Sequence, residues 1–170
     1  MPPSGSTDGG IGIRILDVGD TALTVEFGER IDRCLQAAVA ALDAVLAAAI
    51  ARGELPGIVE TVPTFRSLTV IYDPLRTTRA EIEPRIRQAI PSSATANAPV
   101  GRCWQLPVCY GDEIAACGPD LAELATACGL PPAEVVRLHA GGSYEVCMLG
   151  FLPGFAFLGG LSERLSRPRR

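Results

Sequence analysis

A single histidine, His139, stands in a chain of 170 residues. Imidazole titrates near neutral pH, so this position is the natural candidate for acid and base work. Shortly after it come an apolar stretch, Tyr144 to Leu149, and then a run of glycine, proline and phenylalanine from Gly150 to Leu161. Glycine costs backbone entropy and proline removes a donor, so that density predicts a loop rather than a helix or strand interior. Phe151, Leu152, Phe155 and Phe157 fall in this loop, where exposure would be unfavourable. The pattern predicts one wall of a ligand pocket, lined by Phe151, Pro153, Gly154 and Phe155, with His139 as the catalytic candidate. The competing interpretation of the same residues is a packed or solvated histidine beside a core and a turn.

The charges narrow the chemistry. All fifteen cationic residues are arginine, which excludes a lysine Schiff base or a P-loop lysine from this chain. A net charge of −4 argues against nucleic acid, because phosphate binding needs clustered cations. The six cysteines (Cys34, Cys103, Cys109, Cys117, Cys128 and Cys147) form no C-x-x-C pair and are expected to be reduced and mostly buried. A zinc site from Cys103, Cys109, Cys117 and His139 would need spacings unlike any usual ligand pattern, so no metal site is expected.

The N-terminal residues lack the basic and apolar regions of a signal peptide. The most apolar stretch, Ala37 to Ala51, is broken by Asp43 and is short for a bilayer span. A cytoplasmic protein, not a membrane protein, is the expectation.

The elements that must position these residues follow from periodicity. Residues 1–10 are small and polar and read as a disordered tail. Ile11 to Leu16 and Ala22 to Phe27 alternate around Asp17-Val18-Gly19-Asp20, which predicts a hairpin. Asp32 caps a helix to about Arg52, with Leu35, Val39, Leu42, Val45 or Leu46, and Ile50 on one face. Two more strands, Ile58 to Pro63 and Leu68 to Tyr72, precede a helix from Thr78 to Ile90 that stacks Ile82, Ile86 and Ile90. The order ββαββα predicts helices on one face of an antiparallel sheet, a ferredoxin-like α+β domain over residues 11–91.

Residues 92–100 read as a linker. Beyond it, alternation of Trp104, Leu106 and Val108 predicts a strand ending at Tyr110-Gly111. Asp120 to Cys128 predicts a helix capped by Asp120 and closed by Gly129, and Pro131-Pro132 open another that reaches His139. Tyr144 to Leu149 predicts a strand. Tyr144 and Trp104 read as core, and Arg66 as a surface or interface residue.

Four stretches in order now carry a resemblance: Leu106-Pro107-Val108-Cys109-Tyr110-Gly111, Gly118-Pro119-Asp120-Leu121, Val135-Val136-Arg137-Leu138-His139 and Met148 to Leu161. With Gly19 to Gly28 and Val62 to Leu68, they are similar to the family of the B-type subunit of 5-oxoprolinase, allophanate hydrolase subunit 1 and the kinase inhibitor KipI. The resemblance covers nearly the whole chain after the tail. It implies a ferredoxin-like N-terminal domain followed by a cyclophilin-like β-barrel, residues 101–170 supplying its first part. It also implies ATP, with Mg2+, as co-substrate. The implied partner is a second related subunit, of the allophanate hydrolase subunit 2 kind or its C-type counterpart in 5-oxoprolinase. A homodimer through the N-terminal domain is a further partner to consider.

In the 5-oxoprolinase branch, ATP drives opening of the 5-oxoproline lactam to glutamate. An unstrained lactam is a poor electrophile, and phosphorylation turns its oxygen into a leaving group. A site binding nucleotide and carboxylate together suits arginines and loop amides, and the motif nominates Arg169 as an anion contact. Allophanate hydrolysis is the alternative substrate reading, and a KipI-like histidine-kinase inhibitor is the alternative of another class.

Three departures from the family stand out. The six residues Asp112 to Cys117 exceed the usual length, Ala156 replaces a proline, and the family's barrel continues beyond Arg170. A chain ending there is expected to be inactive alone, with a Phe151–Phe157 surface that aggregates or binds another chain.

Overall fold

Alternation in the first third builds β1 (Arg14–Val18) and β2 (Ala22–Glu26), paired antiparallel with Ile15 opposite Val25. Next come α1 (Arg33–Ala51), β3 (Ile58–Pro63), β4 (Ser67–Tyr72) and α2 (Arg79–Ala89). The computed structural model describes residues 12–90, 101–111 and 117–168. It divides into two units, residues 1–100 and 101–170. The tail over 1–10, the linker over 92–100, Arg169 and most of the lengthened 112–117 segment lie outside the described residues. The chain is a mixed α+β protein.

In the first unit the strands lie in the order β1-β2-β4-β3, every neighbouring pair antiparallel. Leu23 and Val25 of β2 face the same side as Leu68, Val70 and Tyr72 of β4, and all five are buried. Thr24 and Thr69 meet on the opposite face, their hydroxyls 2.8 Å apart. The apolar face is covered by α1 through Ala38, Val39, Leu42, Leu46 and Ala49, and by Ile82 and Ile86 of α2. Asp32 caps α1 by accepting from the Cys34 amide at 2.7 Å. The stripe resolves the sequence ambiguity: Leu46 is buried and Val45 exposed.

At 19 residues and a mean hydropathy of 2.0, α1 is long and apolar enough to cross a membrane, longer than the run counted from sequence. The fold uses it as the helix laid on β3 and β4. Its Asp43 accepts a hydrogen bond from the Thr61 hydroxyl at 2.6 Å.

The second unit holds α3 (Leu121–Cys128), α4 (Pro132–Ala140), β5 (Glu145–Leu149), β6 (Ala156–Gly159) and a 3-10 turn over Glu163–Leu165. Its core is small: Ala125, Val135 and Leu165 are buried, with Leu121, Leu124, Leu130 and Leu138 packed around them. Gly129 closes α3 at φ 63, a left-handed conformation that glycine adopts without strain. Gly160 (φ 101) has no room for a Cβ, which would lie 2.4 Å from the Ser143 carbonyl oxygen.

Five local expectations are corrected here. Residues 101–111 form no strand, and Trp104 is 73% exposed instead of core. Alternation makes a strand only when a partner and a core face receive it, and this segment has neither among the described residues. Ala156–Gly159, read as loop, pairs with β5, Ala156 opposite Leu149 and Leu158 opposite Val146. Backbone pairing there outweighs the glycine cost, because the strand's one glycine, Gly159, sits at its C-terminal end. Asp120 stands at the start of α3 but makes no capping hydrogen bond with its side chain. Tyr144 is half-buried, and its hydroxyl is engaged elsewhere. The cysteines are mostly exposed, with Cys147 buried and Cys128 half-buried, because four of them fall outside the two cores.

Candidate functional site

Pro132 opens α4 where a missing amide costs nothing, and the helix delivers His139 in its last turn. Glu134 in the first turn and Arg137 with His139 in the last complement the helix dipole. Glu134 accepts from Arg137 Nε at 2.7 Å and Nη2 at 2.8 Å, and from Arg164 Nη1 at 2.9 Å. This network ties α4 to the 3-10 turn. Arg137 first, then Arg164, holds the Glu134 carboxyl down at about 2.

That shift lies below the ordinary carboxylate value, so the stability it confers is present above about pH 4.5 and lost as pH falls through about 2. Glu134→Gln should therefore flatten the acid limb of the thermal midpoint between those values, measured by circular dichroism. An unchanged limb would show that Glu134 does not carry it.

At the C-terminus of α4, the His139 carbonyl accepts from the Tyr144 hydroxyl at 2.9 Å. Tyr110 approaches from the other side, its phenol oxygen 2.5 Å from His139 Nδ1, the two rings edge to face with centroids 5.7 Å apart. The Tyr144 ring lies tilted at 5.4 Å. Burial, and then the charge of Tyr110, push the Tyr144 phenol above its ordinary value. All three side chains are half-buried. A Cβ at Gly142 would come 2.9 Å from the Tyr144 hydroxyl, so a larger residue there would displace the Tyr144 ring.

The chemistry follows from donor counts. A neutral imidazole offers one donor and one acceptor, whereas a phenol can be either. With Nδ1–H donating to the Tyr110 oxygen, neutral His139 leaves Nε2 unprotonated and able to take a proton. When the ring is protonated at Nε2, Nδ1–H still donates to the same phenol oxygen. Tyr110 therefore keeps its partner in both states and fixes the ring for proton transfer at the other nitrogen.

The nominated pocket residues form a separate group. The loop Gly150 to Phe155 closes the β5–β6 hairpin by hydrogen bonds Gly150 N to Phe155 O (3.1 Å) and Phe155 N to Leu152 O (3.0 Å). Phe151 has φ 70, an uncommon conformation for a bulky residue, and is 85% exposed. Phe155 stands edge to face between Phe151 and Phe157, at 5.9 and 5.2 Å. Phe155 itself, Pro153 and Gly154 are exposed. The length of β5 separates Tyr144 from this loop, roughly 15–20 Å for such a strand. The structure thus brings His139 to Tyr110 and Tyr144, and Phe151, Pro153, Gly154 and Phe155 to one another. It does not join the two groups through a described contact.

Tyr110 was missed in the sequence. It sits beside Gly111 inside the quoted Leu106–Gly111 stretch, and a lone histidine needing a hydroxyl or carboxylate partner was the available signal. Arg66 is a structural residue, donating to the Gly28 carbonyl at 2.7 Å and to Glu26 at 3.3 Å. Among the described residues no group of three or more His, Cys, Asp or Glu could hold a metal ion.

Comparisons with known proteins place these features in context. The family model described as carboxyltransferase domain, subdomain C and D, matches residues 13–170. The B-type subunit of 5-oxoprolinase from Bacillus subtilis (strain 168) is 38% identical over 171 residues, 92% of this chain and 67% of that protein. The protein of the same name from Escherichia coli O157:H7 is 39% identical over 117 residues, 69% of this chain and 52% of that protein. The chain thus spans about two thirds of the first relative and about half of the second.

The crystal structure of TTHA0988 superposes with a TM-score of 0.69 at 32% identity, covering 88% of this chain and 27% of that one. The K. lactis urea amidolyase structure shares the fold alone, with a TM-score of 0.56 at 15% identity over 85% of this chain and 10% of that one.

Proposed function

Because the chain belongs to the family of the carboxyltransferase domain, subdomain C and D, we propose that it is a subunit of an ATP-dependent amidohydrolase that converts 5-oxoproline to glutamate. The observation that carries this reading is the 38% identity to a B-type 5-oxoprolinase subunit over 92% of the chain. The enzyme is completed by a second, related subunit. Six cysteines in a chain of this size, none of them in a disulfide, favour a cytoplasmic setting.

In this reading His139 takes or delivers the proton that water attack and amine departure require, with Tyr110 holding its ring. ATP is the co-substrate that activates the amide oxygen. The described arginines near His139 fit the triphosphate poorly, since Arg137 and Arg164 are committed to Glu134. Nucleotide binding with Mg2+ is accordingly assigned to the assembled complex, with Arg169 as this chain's own candidate contact.

The finer fold reading belongs here as well. Moving β1 to the end of the first unit converts ββαββα into the βαββαβ order of a ferredoxin-like fold with the same neighbours, which supports that description. The β5–β6 hairpin with its uncovered apolar side chains supports reading the second unit as part of a larger cyclophilin-like barrel.

Co-expression with the second subunit, followed by ATP with 5-oxoproline or allophanate, tests the assignment. Glutamate and ADP from 5-oxoproline are expected. Turnover of allophanate alone would move the substrate, and turnover of neither, together with inhibition of a histidine kinase, would replace the enzyme reading.

A further inference from the structure

Two of the six cysteines, Cys109 and Cys117, are eight positions apart in sequence and adjacent in space. The backbone brings them together. A Cβ built on Gly118 would lie 2.5 Å from the Tyr110 carbonyl oxygen, so the residue after Cys117 touches the residue after Cys109 only because it is glycine. The two thiols lie close enough that each perturbs the other, and the Gly111 amide acts on the Cys109 sulfur as well. Both cysteines are exposed, within reach of a dissolved oxidant without unfolding.

We propose that Cys109 and Cys117 are a redox pair that closes to an intramolecular disulfide under peroxide, stapling the segment that presents Tyr110 to His139. A disulfide requires sulfurs already near each other with little backbone movement, and adjacent stems provide that.

The two thiols are not equivalent. The bonds from Cys117 and Gly111 hold the Cys109 thiol below its ordinary value, while the same contact, and then burial, push the Cys117 thiol up. Cys109 is therefore the attacking thiolate and Cys117 the resolving thiol. The Cys109 thiolate attacks one peroxide oxygen; an S–O bond forms, the O–O bond breaks, and the leaving hydroxide is protonated to water. Cys117 then gives up its proton and attacks the Cys109 sulfur. The S–S bond forms, the S–O bond breaks and a second water leaves. Two thiols and one peroxide become one disulfide and two waters. The pairing is independent of the amidohydrolase reading.

The test uses the full chain, treated with equimolar hydrogen peroxide, alkylated and mapped under non-reducing conditions. The expected result is a Cys109–Cys117 cross-linked peptide within one chain and two fewer thiols titrating in denaturant, both reversed by dithiothreitol. Cys117→Ser should leave a sulfenic acid at Cys109 that dimedone traps, and Cys109→Ser should leave Cys117 reduced. Overoxidation of Cys109 without cross-linking in the unsubstituted chain would overturn the proposal. So would a bond from Cys109 to Cys103 or to a second chain.

Discussion

Replacing His139 with glutamine should lower ATP-dependent turnover in the assembled enzyme by about 10²–10⁴-fold, the usual contribution of a positioned acid–base group. Glutamine retains polarity and much of the volume of imidazole, and His139 is half-buried at a helix end, so the melting temperature should barely move. Its carbonyl bond from Tyr144 belongs to the backbone and survives the substitution. Tyr110→Phe should cause a smaller loss and, distinctively, displace the pH–rate profile, because it removes the group that holds Nδ1. A His139→Gln enzyme with unchanged kcat would reduce the histidine to a structural role.

Leu42→Ala should destabilise the first unit by about 3 kcal/mol. Leu42 is fully buried at the middle of α1, in one buried cluster with the sheet residues Leu23, Val25, Leu68 and Val70. Truncation removes apolar contact and leaves a cavity that two closely packed layers cannot close. Val45→Ala, on the exposed side of the same helix, should change stability by less than about 0.5 kcal/mol. The lone tryptophan, Trp104, lies in the second unit, so denaturant unfolding should be followed by far-ultraviolet circular dichroism. Equal effects of the two substitutions would contradict the assigned helix face.

The first unit was legible in the sequence because its signals agree at every level. Asp32 and Thr78 mark helix starts, the apolar period changes from two to near four at the right places, and both helices find a buried face. The second unit was legible only where local chemistry dominates. Pro132 and Gly129 set helix boundaries correctly.

The Trp104–Val108 alternation did not, because a strand is decided by a partner that the segment itself does not encode. Ala156–Gly159 failed in the opposite direction, a glycine-flanked stretch made into β6 by pairing with β5. His139 is nominated by residue type alone, whereas its ring partner Tyr110 lies 29 positions earlier and only the fold brings the two rings together. The same holds for Cys109 and Cys117, whose spacing resembles no motif.

The arrangement at His139 is open to direct spectroscopic reading, since the chain has a single imidazole. Nitrogen-15 spectra of the labelled full chain, recorded through its titration beside Tyr110→Phe, would follow each ring nitrogen separately. The account predicts a neutral ring protonated at Nδ1, an Nδ1 signal shifted by the phenol hydrogen bond, and loss of that shift in Tyr110→Phe. Identical Nδ1 signals and titration curves in the two proteins would contradict it.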